Sequence, residues 1–181
     1  MVAVRPARPD DAAAIAAIYA PHVTAGHVSF ETDAPDAAEI ARRMDGGHPW
    51  LVAAHGATVI GYAYASAFGE RAAYRLTVET TIYLADAAKG RGVGRQLYAA
   101  LLDLLSARGF AQAIARIALP NPASCALHAA LGFREVGVLR AVGRKHGHWI
   151  DVALWQCALD RSVTAARDRP AAPAGTGSPP P

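Results

Sequence analysis

Cysteine is scarce in this chain. Two occur in 181 residues, Cys125 and Cys157, and neither stands in a CxxC or a Cys/His cluster. That argues against a disulfide framework or a zinc knuckle and fits a reducing, cytoplasmic setting. Charge of one sign is also lacking. The net charge is +3 with no Lys/Arg block of five or more, so the basic balance does not by itself point to nucleic acid. No apolar run approaches the roughly 18 residues of a membrane span. The opening "MVAVRPARPDD" has no apolar core segment, so no signal peptide is expected. There is no internal repeat. What is present is a chain that is 52% hydrophobic, enough to bury the core of one ordinary domain. Residues 1–161 are expected to form that domain. Residues 162–181, rich in Pro, Ala and Gly, are expected to be a disordered tail.

The body reads as strands interrupted by helices. "VAVRPAR" is a short strand. Asp10 and Asp11 cap a helix running to about Tyr19, and a second spans Ala34 to Met44. "WLVAAHG" and "ATVIGYAYASAF" form a hairpin with its turn at His55–Gly56, and "RLTVETTIYLAD" is a further strand. Val93 to Ala107 has helical periodicity and ends before Gly109. "QAIARIAL" is a strand ended by Pro120-Asn121-Pro122, Ser124 to Leu131 is a short helix, and strands follow around Arg134–Gly143 and Trp149–Leu159. This order, β-α-α-β-β-β-α-β-α-β-β, predicts an α+β fold: a mixed central sheet of about seven strands with helices on both faces.

"KGRGVG", Lys89 to Gly94, stands between a strand and a long helix. The first N–H groups of a helix lack intrahelical acceptors, and its dipole favours negative charge there. Glycine lets a ligand approach the backbone closely. With Lys89, Arg91 and Arg95 adding charge, the expected ligand is a phosphate or pyrophosphate. A Walker A sequence is absent, and Arg95 stands where a dinucleotide fingerprint needs its third glycine. A loop that merely turns tightly is the competing reading.

The surroundings decide between them. "KGRGVG" resembles the acetyl-CoA motif of the GCN5-related N-acetyltransferase (GNAT) superfamily, and "NPASCALHAALGF" resembles its second signature. "TVETTIYL", "LPNPASCALHAALGF" and "GRKHGHWIDVALWQ" are similar to the phosphinothricin/methionine sulfoximine N-acetyltransferase branch. The resemblance runs from about Val2 to Leu159. Lys89 departs from the usual Gln or Arg but keeps a long polar side chain. The resemblance implies the GNAT fold and acetyl transfer from acetyl-CoA to the α-amine of a small amino acid, with no metal and a homodimer.

Site residues follow. Glu79 lies in an apolar-flanked strand, where burial would raise its pKa and suit it to accept an ammonium proton. Satisfaction by Arg75 or a sheet edge is the alternative, and the resemblance favours the base. The resemblance places His128 near the thiol or amine, and its ordinary pKa lets it act as acid or base. Asn121 either bonds the pantetheine arm or caps a helix, and Ser124 lies in the same cofactor-binding motif. Leu84, Ala85 and Asp86 would offer backbone groups to pantetheine and the oxyanion, and Lys89, Gly90, Arg91, Gly92, Val93, Gly94 and Arg95 would hold the pyrophosphate. For the substrate carboxylate and its surroundings the candidates are Phe30, Arg71, Tyr74, Arg75 and Lys145. His146 and His148 could share a face as metal ligands, but a polar turn is the better reading. Trp149 and Trp155 are expected to pack the last strands. A peptide N-terminus or polyamine acceptor, or a non-catalytic acetyl-CoA-binding module, are the alternatives.

Overall fold

The computed structural model describes residues 1–160; the expected tail, residues 162–181, lies outside them. Seven strands form one sheet in the order β1-β2-β3-β4-β5-β7-β6. The elements are β1 (Val2–Pro6), α1 (Ala12–Thr24), α2 (Ala37–Met44), β2 (Trp50–His55), β3 (Thr58–Ala67), β4 (Thr77–Leu84), α3 (Val93–Ala107), β5 (Gln112–Ala118), α4 (Pro122–Ala130), β6 (Arg134–Lys145) and β7 (His148–Ala158). Their order is the one read from the sequence.

Two apolar clusters lie against opposite faces of the sheet. On one face α3 buries Leu97, Tyr98, Leu101 and Leu105 against Leu51, Ala63, Val78, Ala113 and Ala115. On the other, α1 and α2 bury Ile15, Tyr19, Val23 and Ile40 against Val52 and Tyr62. Tyr62 and Tyr83 stack at 5.7 Å beneath Tyr19. Period-2 alternation on the strands separates these two sets.

Three boundaries differ from expectation, each for a local reason. Helix α1 continues through Pro21 to Thr24. Its apolar face runs on to Val23, and burial of that residue offsets the backbone bond that a proline removes. Helix α2 starts at Ala37 because Asp36 is its cap, the carboxylate accepting from Glu39 N at 2.8 Å. Helix α4 starts at Pro122, with Asn121 as its cap. Trp149 does not pack the last strands: it stands 66% exposed near the Arg144 guanidinium, 5.8 Å from the ring centroid. Trp155 does pack against the α3-face core.

The sheet has one parallel pairing, and it is short. β4 and β5 share register only over Thr77–Glu79 against Gln112–Ile114. Beyond it, β4 continues to Leu84 on β3 alone and β5 continues to Ala118 on β7 alone. The strands therefore fork after Glu79 and Ile114.

Candidate active site

Past the fork, the β4 edge facing β5 has no ladder partner from Thr80 to Leu84. Unpaired strand N–H and C=O groups accept an extended, amide-bearing chain. At the open end of the fork stands the glycine loop. Gly90 and Gly92 have φ of +71° and +77°, which a side chain adopts only with strain. The first intrahelical bond of α3 runs from Gln96 N to Gly92 O, so the N–H groups of Val93, Gly94 and Arg95 precede it and lack helical acceptors. Gly94 packs closely under Leu84, whose Cδ1 would lie 3.2 Å from an added Cβ. Arg91 and Arg95 are exposed. Lys89 instead pairs with Asp86 at 2.6 Å. Together these features fit a pyrophosphate followed by a pantetheine arm.

One expected contribution is spent elsewhere. The Ala85 N–H donates to the Ile60 carbonyl at 3.0 Å, so it is not available to an oxyanion or a pantetheine amide. The carbonyl oxygen of Asn121 accepts from Ser124 N at 3.1 Å. That is the capping role; this bond uses only one end of the amide.

Glu79 lies at the last β4–β5 rung. Its cross-strand partners are Ser66 and Ile114, so its side chain shares the α1/α2 face with Tyr64, Thr81 and Tyr83. The carboxylate pairs with Arg116 at 3.1 Å, not with Arg75. Burial pushes the Glu79 carboxyl up, and the Arg116 guanidinium pulls it partly back. Glu79 is therefore a half-buried carboxylate at the base of the fork, its pKa raised by burial and only partly offset by the adjacent Arg116. Sequence reasoning missed Arg116. Its signal was present in "QAIARIA": Ala113, Ala115 and Ile117 take one phase, so Arg116 must face the other, with Ile114.

His128 is not on that face. It is 3% exposed, beneath the α3 side of the sheet, with its ring 5.0 Å from both Tyr98 and Phe133. The Ser124 carbonyl lies 2.8 Å from Nδ1, and the Tyr98 hydroxyl lies 3.0 Å from Nε2. A carbonyl only accepts, so Nδ1 carries the proton and Nε2 accepts from Tyr98. Burial holds the His128 pKa below its usual value, the Ser124 carbonyl opposing in part. Both ring nitrogens are engaged within the protein, and the side chain is across the sheet from Glu79.

The substrate candidates divide into two groups. Arg71, Tyr74 and Arg75 are exposed around a 3-10 turn just before β4, with Tyr74 edge-on to Phe68 at 5.3 Å. Lys145 and Phe30 belong elsewhere. Lys145 is buried at the β6–β7 turn, its ammonium donating to the Ser29 carbonyl at 2.5 Å and reaching the His22 carbonyl at 3.5 Å. It holds the loop between α1 and α2 and is not an open cation for a substrate carboxylate. Phe30 is half-exposed on that loop, and a Cβ at Gly143 would enter its ring. The same loop is held from the other side. Tyr19 donates to Glu31 at 2.9 Å, and Arg43 pairs with Glu31 at 2.8 Å. Among the described residues no His/Cys/Asp/Glu group has metal-ligand geometry. No described helix is long and apolar enough to cross a membrane.

Comparison with known proteins agrees with this geometry. An acetyltransferase (GNAT) domain model matches residues 4–154. The chain is 45% identical over 166 residues to the phosphinothricin N-acetyltransferase of Alcaligenes faecalis, covering 89% of this chain and 84% of that one. It is 38% identical over 120 residues to the L-methionine sulfoximine/L-methionine sulfone acetyltransferase of Pseudomonas aeruginosa, covering 66% of this chain and 70% of that one. A crystal structure of a phosphinothricin acetyltransferase from Sinorhizobium meliloti, in complex with AcCoA, superposes with a TM-score of 0.83 at 42% identity over 87% of this chain and 88% of that one. With its forked sheet, its glycine loop at the head of α3 and this likeness along most of its length, the chain belongs to the GNAT acetyltransferase family.

Proposed function

We propose that this acetyl-CoA-dependent N-acetyltransferase acetylates the α-amine of a small amino acid, phosphinothricin- or methionine sulfoximine/sulfone-like, by direct attack. The observation that carries the reading is Glu79, a half-buried carboxylate beside the fork, paired with Arg116 at 3.1 Å and with its pKa raised by burial. In this reading the N–H groups before Gln96 and the Gly90–Gly92 turn hold the pyrophosphate, the open β4 edge holds the pantetheine arm, and Asn121 flanks it. Acetyl-CoA supplies the activated acyl group. Glu79 takes a proton from the ammonium, directly or through one water, and leaves a neutral nitrogen lone pair. The lone pair adds to the thioester carbonyl to give a tetrahedral intermediate; as this collapses the C–S bond breaks, the sulfur leaves with the bonding electrons, and the proton that the acylated nitrogen sheds ends on the thiolate to give the free thiol. Arg71 and Arg75 supply cations for the substrate carboxylate, and Phe30 walls the pocket from the α1–α2 loop. Those cations disfavour a polyamine.

Free-thiol release from acetyl-CoA across a panel of phosphinothricin, methionine sulfoximine, methionine sulfone, a polyamine and a short peptide tests the substrate class. Turnover is expected with the amino acids. Release only with the peptide or the polyamine overturns the assignment, and release with none of them favours a non-catalytic sensor.

A second copy of the chain is the proposed partner, and the cytoplasm, where both cysteines stay free, is the proposed location. Support for the homodimer comes from the β6–β7 hairpin, where Val136, Leu139 and Val142 on the edge strand and Trp149 on its neighbour are each exposed. Light scattering at micromolar concentration should return twice the mass of one chain.

A further inference from the structure

Glu79 marks the last rung before the fork, and the next residue does something different. Thr80 points to the α3 face and is 3% exposed. Its Oγ1 lies 3.2 Å from the Ile114 carbonyl, the last β5 residue in the parallel ladder, and 2.7 Å from the Tyr98 hydroxyl. Tyr98, fully buried on α3, reaches His128 Nε2 on α4. His128 is anchored in turn to the Ser124 carbonyl in the first turn of α4. One hydrogen-bonded chain thus spans the apex of the fork, tying β4 and β5 through α3 to α4. Every proton in it has a place: Nδ1–H goes to Ser124, Tyr98 O–H to Nε2, and Thr80 O–H to the Tyr98 oxygen or to Ile114. The ring of Tyr98 is fixed independently, stacked on Phe133 at 5.7 Å.

We propose that Tyr98 is a positioning residue for acetyl transfer: its hydroxyl, held between Thr80 and His128, sets the spacing of β4 from β5 and α4 where the fork begins. The inference rests on the acetyltransferase reading above, in which the thioester lies in that fork. His128 then acts through Tyr98 from behind the wall and does not deliver a proton to the substrate. A shift of about an ångström in such a wall is enough to cost a factor on the order of 100 in rate. A buried hydroxyl whose partners are polar and dry is the kind of group whose removal leaves both partners wanting.

Tyr98→Phe removes one oxygen and keeps the stack. It is expected to lower kcat about 10- to 100-fold, with KM for the amino acid within about twofold of wild type. His128→Gln, whose side-chain carbonyl can accept from Tyr98, should keep most of kcat, whereas His128→Leu should lose as much as Tyr98→Phe. The double variant Tyr98→Phe/His128→Leu should be no worse than either single one, since the two residues act as one unit. Thr80→Val, which breaks the chain at its other end, gives the same kcat loss if Tyr98→Phe folds poorly. Wild-type kcat in folded Tyr98→Phe overturns the proposal. So does a fall in His128→Gln as deep as in His128→Leu, which would make His128 the proton donor itself. Nitrogen-15 spectra of the His128 ring give a readout that needs no turnover. The expected tautomer is Nδ1–H, with an Nε2 resonance that moves in Tyr98→Phe; an Nε2–H ring in the wild type sinks the chain even if the enzyme is active. An enzyme inactive on every amine, with the ring as expected, sinks the functional reading instead.

Discussion

Glu79→Gln should lower turnover about 100- to 10,000-fold, the range typical of losing a general base, while acetyl-CoA affinity stays close to wild type. The substitution preserves the shape of the side chain and removes only its capacity to take a proton. Glu79 is on the α1/α2 face at the last β4–β5 rung, and the glycine loop is at the far end of β4, so the pyrophosphate contacts are untouched. The pH profile gives a second handle. Burial raises the Glu79 pKa and Arg116 lowers it, and a general base acts only in its ionised form. Activity should therefore fall as pH drops through the Glu79 value. Arg116→Gln removes the opposing cation, lifts that value further and moves the acid limb to higher pH. Steady-state rates at saturating amino acid and acetyl-CoA measure both. Wild-type turnover in Glu79→Gln removes Glu79 from the chemistry. An acid limb that stays in place in Arg116→Gln assigns the limb to the substrate's own ammonium.

The second large effect belongs to the loop. Gly92→Val should weaken acetyl-CoA binding about 10- to 150-fold for each charge-assisted hydrogen bond lost, at about 1.5–3 kcal/mol apiece. Two causes combine. At φ +77° a β-branched side chain is strained, so the loop relaxes away from the shape that converges its N–H groups. Nothing lies within 4 Å of a Cβ built there, so the space it enters is the approach to the helix N-terminus. Gly56→Val separates the causes. Gly56 has φ +61°, also with open space around it, but it sits in the β2–β3 turn. It should lose stability and keep acetyl-CoA affinity. Calorimetric titration of both variants decides. Equal affinity in folded Gly92→Val would reduce the loop to a turn.

Most of the fold was legible because α2 and α3 carry a helical period and because turn and breaker residues punctuate the strands, although α1 has little period and β2 is buried along nearly its whole length. The glycine loop was legible because positive φ and an unpaired helix start both demand glycine at that spot. What escaped was side-chain partnership across the sheet. "TVETTIYL" shows that Glu79 and Thr80 take opposite faces, but not that the parallel register sets Arg116 beside Glu79, two residues past its Ile114 partner. His128 was singled out by its motif, yet a motif does not say which way a short helix faces. That depends on how α4, which starts at Pro122, two residues earlier than expected, packs against the sheet. Lys145 was read as a substrate cation from its charge. The structure gives its ammonium the Ser29 carbonyl of the α1–α2 loop and the His22 carbonyl near the end of α1, both more than a hundred residues away in sequence, a tertiary pairing that local pattern does not encode.

The short β4–β5 ladder has a mechanical consequence. The sheet consists of two antiparallel blocks, β1–β4 and β5–β7–β6, and each is contiguous in sequence, meeting along three residue pairs. Along that seam the three rungs are backed by the α3-face core, in which Val78 of β4 and Ala113 of β5 share one cluster with Leu97, Leu101 and Leu105. The sheet is thus a pair of antiparallel plates joined by a narrow weld, with the fork opening beyond it. A substitution that moves one plate should therefore reach the other across that narrow weld, as a change in the opening of the fork. The cut that would separate the plates falls at the exposed Arg108–Gly109 turn between α3 and β5.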